Sequence, residues 1–152
     1  MEQQSNKIGR NQGKKITIDG YKFDSHQEAD FYVQFIKDTG LPFQVHPTYP
    51  IIDKFAVGGI NMRGLTYTPD FVIKDSTGRD RCFDVKNSFT GYGVNAEAKL
   101  KFKLFARRYN SPVEVVIPRK GWFWLKIMST TRKFEPLRMT TVDYNLAEII
   151  GQ

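Results

Sequence analysis

Thr66-Tyr67-Thr68-Pro69-Asp70-Phe71-Val72-Ile73 and Arg81-Cys82-Phe83-Asp84-Val85-Lys86 are two largely apolar runs separated by the turn-rich stretch Asp75-Ser76-Thr77-Gly78-Arg79-Asp80. Short apolar runs flanking turn residues predict two strands of a central hairpin. Strands of this kind rarely carry charge. Yet Asp70 follows Pro69, and Asp84 and Lys86 lie fourteen and sixteen residues after Asp70. Side chains alternate along a strand, so Asp84 and Lys86 share one face, roughly 7 Å apart along it. Asp70, from the neighbouring strand, can converge on the same point. Two carboxylates and an ammonium so placed suggest a hard divalent cation, Mg2+ or Mn2+, with Asp70, Asp84 and the Val85 carbonyl supplying its protein ligands. Lys86 would orient a water or stabilise developing negative charge.

Outward from the hairpin, other elements fall into place. Lys15-Ile16-Thr17-Ile18 and Tyr21-Lys22-Phe23 flank Asp19-Gly20, a two-residue hairpin signal. A helix is expected from about Ser25 to Thr39, with Ser25 as N-cap and Gly40 as stop. Phe43-Gln44-Val45 reads as extended, and Ile51 to Arg63 as a strand, a loop through Gly58-Gly59 and the start of another strand. A glycine-containing loop, Ser88 to Gly93, precedes a second helix from Val94 to Tyr109. Val113 to Ile117 reads as a strand buried on both faces, and Trp122 to Ile127 as another strand. Val142 to Ile150 reads as a short helix. The expected fold is α/β, a mixed sheet flanked by helices in the order α-β-β-β-α-β with additional strands. Residues 1–14 read as a flexible basic arm and 15–152 as one domain.

On the first helix, Glu28 falls within the stripe of Phe31, Tyr32, Phe35 and Ile36. A carboxylate facing the core needs a partner, and a metal is one. Ser25-His26-Gln27-Glu28 equally fits a capping box, in which the glutamate bonds back to the N-cap amide. His26 and His46 lack a cysteine or paired histidine at ligand spacing, which argues against zinc.

The chain has 152 residues and a formal net charge of +7, from 23 basic and 16 acidic residues. This balance favours a polyanionic partner. Lys14, Lys15 and Arg63 are candidate DNA contacts, and Lys99, Lys103 and Arg107 recur at helical spacing to form one basic stripe. No apolar run approaches the roughly 18 residues of a membrane span, so no membrane partner is expected. The N-terminus lacks a signal-like apolar stretch, and the single cysteine, Cys82, excludes an internal disulfide framework. The cytoplasm is the expected compartment.

Glu28 on a first helix, Pro69-Asp70 on a strand and Asp84-Val85-Lys86 on the next resemble the PD-(D/E)xK nuclease superfamily. The sequence is also similar to phage junction-resolving endonucleases and small phage endonuclease-like proteins, in which a lysine-rich helix with a Lys-Leu-Phe phrase follows. Lys101-Phe102-Lys103-Leu104-Phe105 fills that position. The resemblance spans about Phe23 to Pro118. Asn87 departs from it, standing where those relatives usually have glycine. It implies a restriction-endonuclease-like fold and a magnesium-dependent endodeoxyribonuclease with Glu28, Asp70, Asp84 and Lys86 as catalytic set. It also implies branched DNA as substrate, in phage recombination or DNA processing. The host cytoplasm and a homodimer belong to the same expectation. Two alternatives remain at this point, an inactive DNA-binding module of the same fold and a sequence-specific restriction or transposition-type nuclease.

Overall fold

The computed structural model describes residues 15–150. The expected N-terminal arm, including Lys14, lies outside the described residues. Strands β1 (Ile16–Ile18) and β2 (Tyr21–Phe23) form the first hairpin. Asp19 and Gly20 both have positive φ, 54° and 85°, as a primed two-residue turn requires.

Helix α1 (His26–Phe31) follows, capped by the Ser25 hydroxyl, which accepts from the Glu28 amide at 3.1 Å. Where one α-helix was expected to Thr39, the backbone widens into a π-helical stretch at Tyr32–Ile36. There the Lys37 amide donates to the Tyr32 carbonyl five residues back. Phe31, Tyr32, Phe35 and Ile36 are all buried, as their spacing demanded.

The main sheet has six strands, in chain order β3 (Phe43–Val45), β8 (Phe71–Lys74), β9 (Asp80–Val85), β10 (Val113–Pro118), β11 (Phe123–Lys126) and β12 (Leu137–Met139). Across the sheet they lie in the order β12-β11-β10-β9-β8-β3. Only β9 and β10 run parallel. Helix α2 (Ala96–Tyr109) makes the crossover between them, with the Asn95 side chain accepting from the Ala98 amide at its start. Helix α3 (Leu146–Ile150) ends the described chain. The molecule is therefore mixed α/β, with a mixed sheet flanked by helices, and α1-β3-β8-β9-α2-β10 reproduces the expected order.

The Thr66–Ile73 run is not one strand. β7 (Leu65–Tyr67) pairs with β4 (Tyr49–Ile52) in a separate two-stranded sheet, and the main-sheet strand begins only at Phe71. Pro69 lacks the amide a continuous ladder needs, so the break falls beside it. Asp70 consequently sits at the break, at the mouth of β8. The stretch from Ile51 to Arg63 contains a further ribbon, β5 (Phe55–Val57) and β6 (Ile60–Met62), turning at Gly58-Gly59. Cross-strand register places Phe55, Val57, Ile60 and Met62 together, and all four are exposed.

Alternation sorts the core onto the two sheet faces. Phe71, Ile73, Phe83, Val85 and Val116 pack with Phe31 and Phe35 of the first helical segment. Val72, Cys82, Val113 and Val115 pack on the other face with Phe102 and Phe105 of α2. Cys82 is a packing residue, and burial pushes its thiol well above the ordinary range. No helix among the described residues is long and apolar enough to cross a membrane.

Candidate active site

The carboxylates converge where α1, the β7–β8 break and the end of β9 meet. Asp70 Oδ2 accepts from the Val85 amide at 2.7 Å, which ties the break to the neighbouring strand. Val85 thus enters the site through its N–H. Asp84 is buried and accepts a short hydrogen bond from the Tyr67 hydroxyl through Oδ2. Its Oδ1 lies 3.2 Å from Lys86 Nζ. The two side chains share a face, as alternation required, and the flexible lysine closes the spacing to an ion pair. Tyr67 is buried with its hydroxyl engaged by Asp84. Burial first, and then the Asp84 charge, push its pKa well above the ordinary value, so it is a neutral donor. Edge contacts from Phe102 and Phe105 of α2 hold the Tyr67 ring, with centroids 5.6 Å away in each case.

Of the two roles that its sequence context left open, Glu28 takes the core-facing one, with its carboxylate turned to a partner in the site. Its amide is capped by Ser25, but its carboxylate does not complete a capping box. Oε1 reaches the Asp24 amide at 3.4 Å and, more closely, His46 Nε2 at 2.6 Å. His46 Nε2 also lies 3.8 Å from Asp70 Oδ1. The sequence context of His46 argues against zinc and does not connect it with Glu28. His46 follows β3 with φ of 53°, and its amide donates to the Asp70 carbonyl at 3.0 Å. A left-handed non-glycine residue persists only where its surroundings fix it.

The electrostatics report the convergence. Burial, then the negative charges of Asp84 and Glu28, raise the Asp70 carboxyl well above its ordinary value. The Val85 amide pulls the other way and does not prevail. Three carboxylates face one lysine and one histidine, an arrangement that lacks positive charge. A divalent cation fits that deficit, and an all-oxygen set suits a hard ion. A second grouping overlaps it, because ligand atoms of Asp24, Glu28 and His46 lie within 4.8 Å of one another. Glu28 belongs to both sets.

The expected DNA contacts divide. Lys99, Lys103 and Arg107 are exposed on α2, and none has an acidic partner among the described residues. Arg63 is likewise exposed, at the foot of the β5–β6 ribbon. Lys15 is already paired with Asp24.

The family described as "Protein of unknown function (DUF1064)" matches residues 9–120. The chain belongs to this family. No curated protein and no solved structure matched it. All four expected catalytic residues and His46 fall within the DUF1064 region, whereas β11, β12 and α3 lie beyond it.

A second charged cluster lies at the opposite end of β9. Arg81 is fully buried and donates to Glu114 through Nε at 2.6 Å and Nη2 at 2.7 Å. Its Nη1 donates to Asp75 Oδ2 at 3.2 Å and to the Tyr144 carbonyl at 2.9 Å. The Tyr144 hydroxyl donates to Glu114 at 2.5 Å. Burial raises the Glu114 carboxyl overall, although the bonds and charge of Arg81 and the Tyr144 hydroxyl draw it back. Arg81 cannot give up its proton and makes two bonds to Glu114, so the pair is charged. This network fastens the segment before α3 to the sheet.

Proposed function

We propose that this protein is a metal-dependent DNA endonuclease of the PD-(D/E)xK type, selective for branched DNA and acting in phage recombination or DNA processing. The observation that carries the reading is the meeting of Glu28, Asp70 and Asp84, with Lys86 paired to Asp84, at a break made by Pro69. Glu28, Asp70 and Asp84 would hold Mg2+ or Mn2+, and His46, a nitrogen donor, makes Mn2+ an acceptable substitute. Such an ion neutralises the phosphate and acidifies water. The chain's own groups do the rest. Tyr67 and Lys86 fix the orientation of Asp84, and the Val85 amide fixes Asp70. Lys86 Nζ is the mobile cation beside the reacting phosphate, where it stabilises charge that grows in the transition state. Water adds to phosphorus and gives up a proton. The bond to the 3′ oxygen breaks and that oxygen takes a proton, leaving 5′-phosphate and 3′-hydroxyl ends. The basic stripe on α2 holds the backbone of the substrate. A symmetric dimer in the host cytoplasm would present one such site to each of two strands.

Labelled four-way junctions and linear duplexes incubated with Mg2+ or Mn2+ test this. The expected result is junction cleavage by the wild type and binding without cleavage by Asp84→Ala. If the wild type binds but cuts neither substrate with either ion, the enzyme reading fails and an inactive DNA-binding module takes its place.

A further inference from the structure

Two tryptophans remain outside this account. Trp122 and Trp124 flank the buried Phe123 and lie half-buried on the opposite side of their strand region. Trp122 is covered by the Arg138 guanidinium, 4.0 Å above its ring. Trp124 meets Trp122 edge-to-face at 5.0 Å and also forms a wall of an open pocket of about 460 Å³. Asn87, Ser88, Phe89, Arg119 and Pro136 contribute to the rest of the lining. Asn87 is the residue after Lys86, so the pocket begins where the catalytic strand ends. The Lys86 amide is bonded to Val116 at 2.9 Å, next to Ile117, which lines the pocket and pairs in register with Trp124.

The walls are fixed. Ser88 Oγ and Thr90 Oγ1 are 2.9 Å apart, and the Thr90 carbonyl accepts from the amides of Gly93 and Val94. A Cβ at Gly93 would stand 2.1 Å from the Ser88 carbonyl oxygen, so only glycine closes this loop. Across the pocket, the Gln34 side chain bonds the Arg119 carbonyl at 2.9 Å and the Gly121 amide at 2.7 Å. Arg119 is exposed, its Nη1 donates to the Pro118 carbonyl at 3.1 Å, and it has no acidic partner among the described residues.

We infer that this pocket receives an unpaired nucleobase next to the scissile phosphate, stacked on Trp124 and Phe89 with the adjoining phosphate held by Arg119. Aromatic walls, one cation without an acidic partner and several small polar groups match a base and its backbone, and the volume is that of a small-ligand site. The inference rests on the nuclease reading and gives it a source of structure selectivity. Fully paired DNA keeps its bases stacked and cannot fill the pocket, whereas a fork or branch offers one.

The test uses the full chain in an Asp84→Ala background, which separates binding from cutting. The probe is a forked duplex with 2-aminopurine at the unpaired position, compared with the same strand fully paired. Binding of the fork should change 2-aminopurine emission. Trp124→Ala should abolish that change and lower fork affinity about ten-fold, leaving duplex affinity within about two-fold. Arg119→Ser, at an exposed position, should lower fork affinity several-fold and decides the matter if Trp124→Ala does not fold. An unchanged fork-to-duplex ratio in the folded variants, or equal wild-type affinity for both probes, overturns the pocket. Fork selectivity lost on mutation, in a protein whose wild type cuts no DNA, would sink the nuclease reading and leave the pocket standing. Absence of any DNA binding overturns both.

Discussion

Asp70→Asn should stabilise the metal-free protein. Asp70 Oδ1 and Glu28 Oε1 lie 3.8 Å and 2.6 Å from the same His46 nitrogen, so they are at most 6.4 Å apart. At that separation and an effective dielectric of about 20, two full negative charges repel by about 3 kcal/mol. His46 and Lys86 offset part of this, and a shared proton relieves more. About 1–2 kcal/mol is the expected gain from neutralising Asp70, because Asn Oδ1 can still accept from the Val85 amide. For a domain of this length, that is a rise in Tm of about 2–8 °C.

The gain has a definite pH dependence. The folded-state pKa of Asp70 lies well above the ordinary 3.8. Below that ordinary value the folded and unfolded chains both hold the proton, and the carboxyl carries no penalty. As pH rises from about 3.8 towards the raised value, the unfolded chain releases the proton and the folded chain keeps it, so the wild type loses stability. The advantage of Asp70→Asn should therefore grow across that window. Mg2+ or Mn2+ should act in the opposite sense, raising the wild-type Tm by mass action, about 2.7 kcal/mol at one hundred times Kd. The variant should respond much less. Differential scanning fluorimetry from pH 4 to 8, with EDTA or with either ion, reads all of this. If Asp70→Asn melts below the wild type throughout and the wild type ignores both ions, the cation-deficient site is wrong.

Lys86→Ala should reduce junction cleavage by about 10²–10³-fold with junction affinity nearly unchanged, as single-turnover kinetics and a gel-shift titration would show. Replacing Lys99, Lys103 and Arg107 together by alanine should lower the slope of log affinity against log salt by about 3, as each phosphate contact contributes about 0.9. An unchanged slope would remove the stripe from the interface. Arg81→Ala strands the Glu114 carboxylate and should cost about 3–5 kcal/mol, measured by urea unfolding. Asp75 behaves oppositely to Asp70. Burial raises its pKa, but bonds from Thr77, the Arg79 amide and Arg81 outweigh that and hold it below 3.8. Its contribution is complete above that value and is lost as pH falls through the lower folded-state value, so the stability gap between wild type and Asp75→Asn should close only in strong acid.

Most elements were legible because their signals are local. Asp19-Gly20 needs only its own backbone to make a turn, and Val113–Pro118 is buried throughout because nothing in it except Glu114 prefers water. Pro69 is at once a motif residue and, through its missing amide, the break in the ladder. His46 was not legible. Its partnership with Glu28 depends on β3 pairing antiparallel to β8, with Val45 opposite Phe71, and that register is a tertiary fact. The helical wheel located Glu28 but could not tell a capping carboxylate from a converging one, because the difference lies in which loop comes to meet it. The π-helical stretch left no local signal in Tyr32–Ile36. Arg81 and Glu114 did leave one, being charges within apolar strands, and it is the same signal that marked Asp84.

That shared signal shows what separates a structural network from a reactive one. Strand β9 carries Arg81 near one end and Asp84 near the other, both almost wholly buried. Around Arg81 every acid is answered. Glu114 receives two guanidinium bonds and a tyrosine hydroxyl, and Asp75 receives donors enough to hold its pKa low. Around Asp84 the balance stays open. Asp70 receives one amide, and its carboxyl is driven up by burial and by the neighbouring acids. Folding stability alone would favour closing that deficit, since an uncompensated buried charge is among the more costly things a core can hold. A site whose charge is completed only by a cation and a bound phosphate has a reason to leave it open. Charge in an apolar strand therefore marks a candidate, and incomplete compensation around Glu28, Asp70, Asp84 and Lys86 is the ground on which the proposed chemistry rests, whereas Arg81 and Glu114 answer each other within the fold.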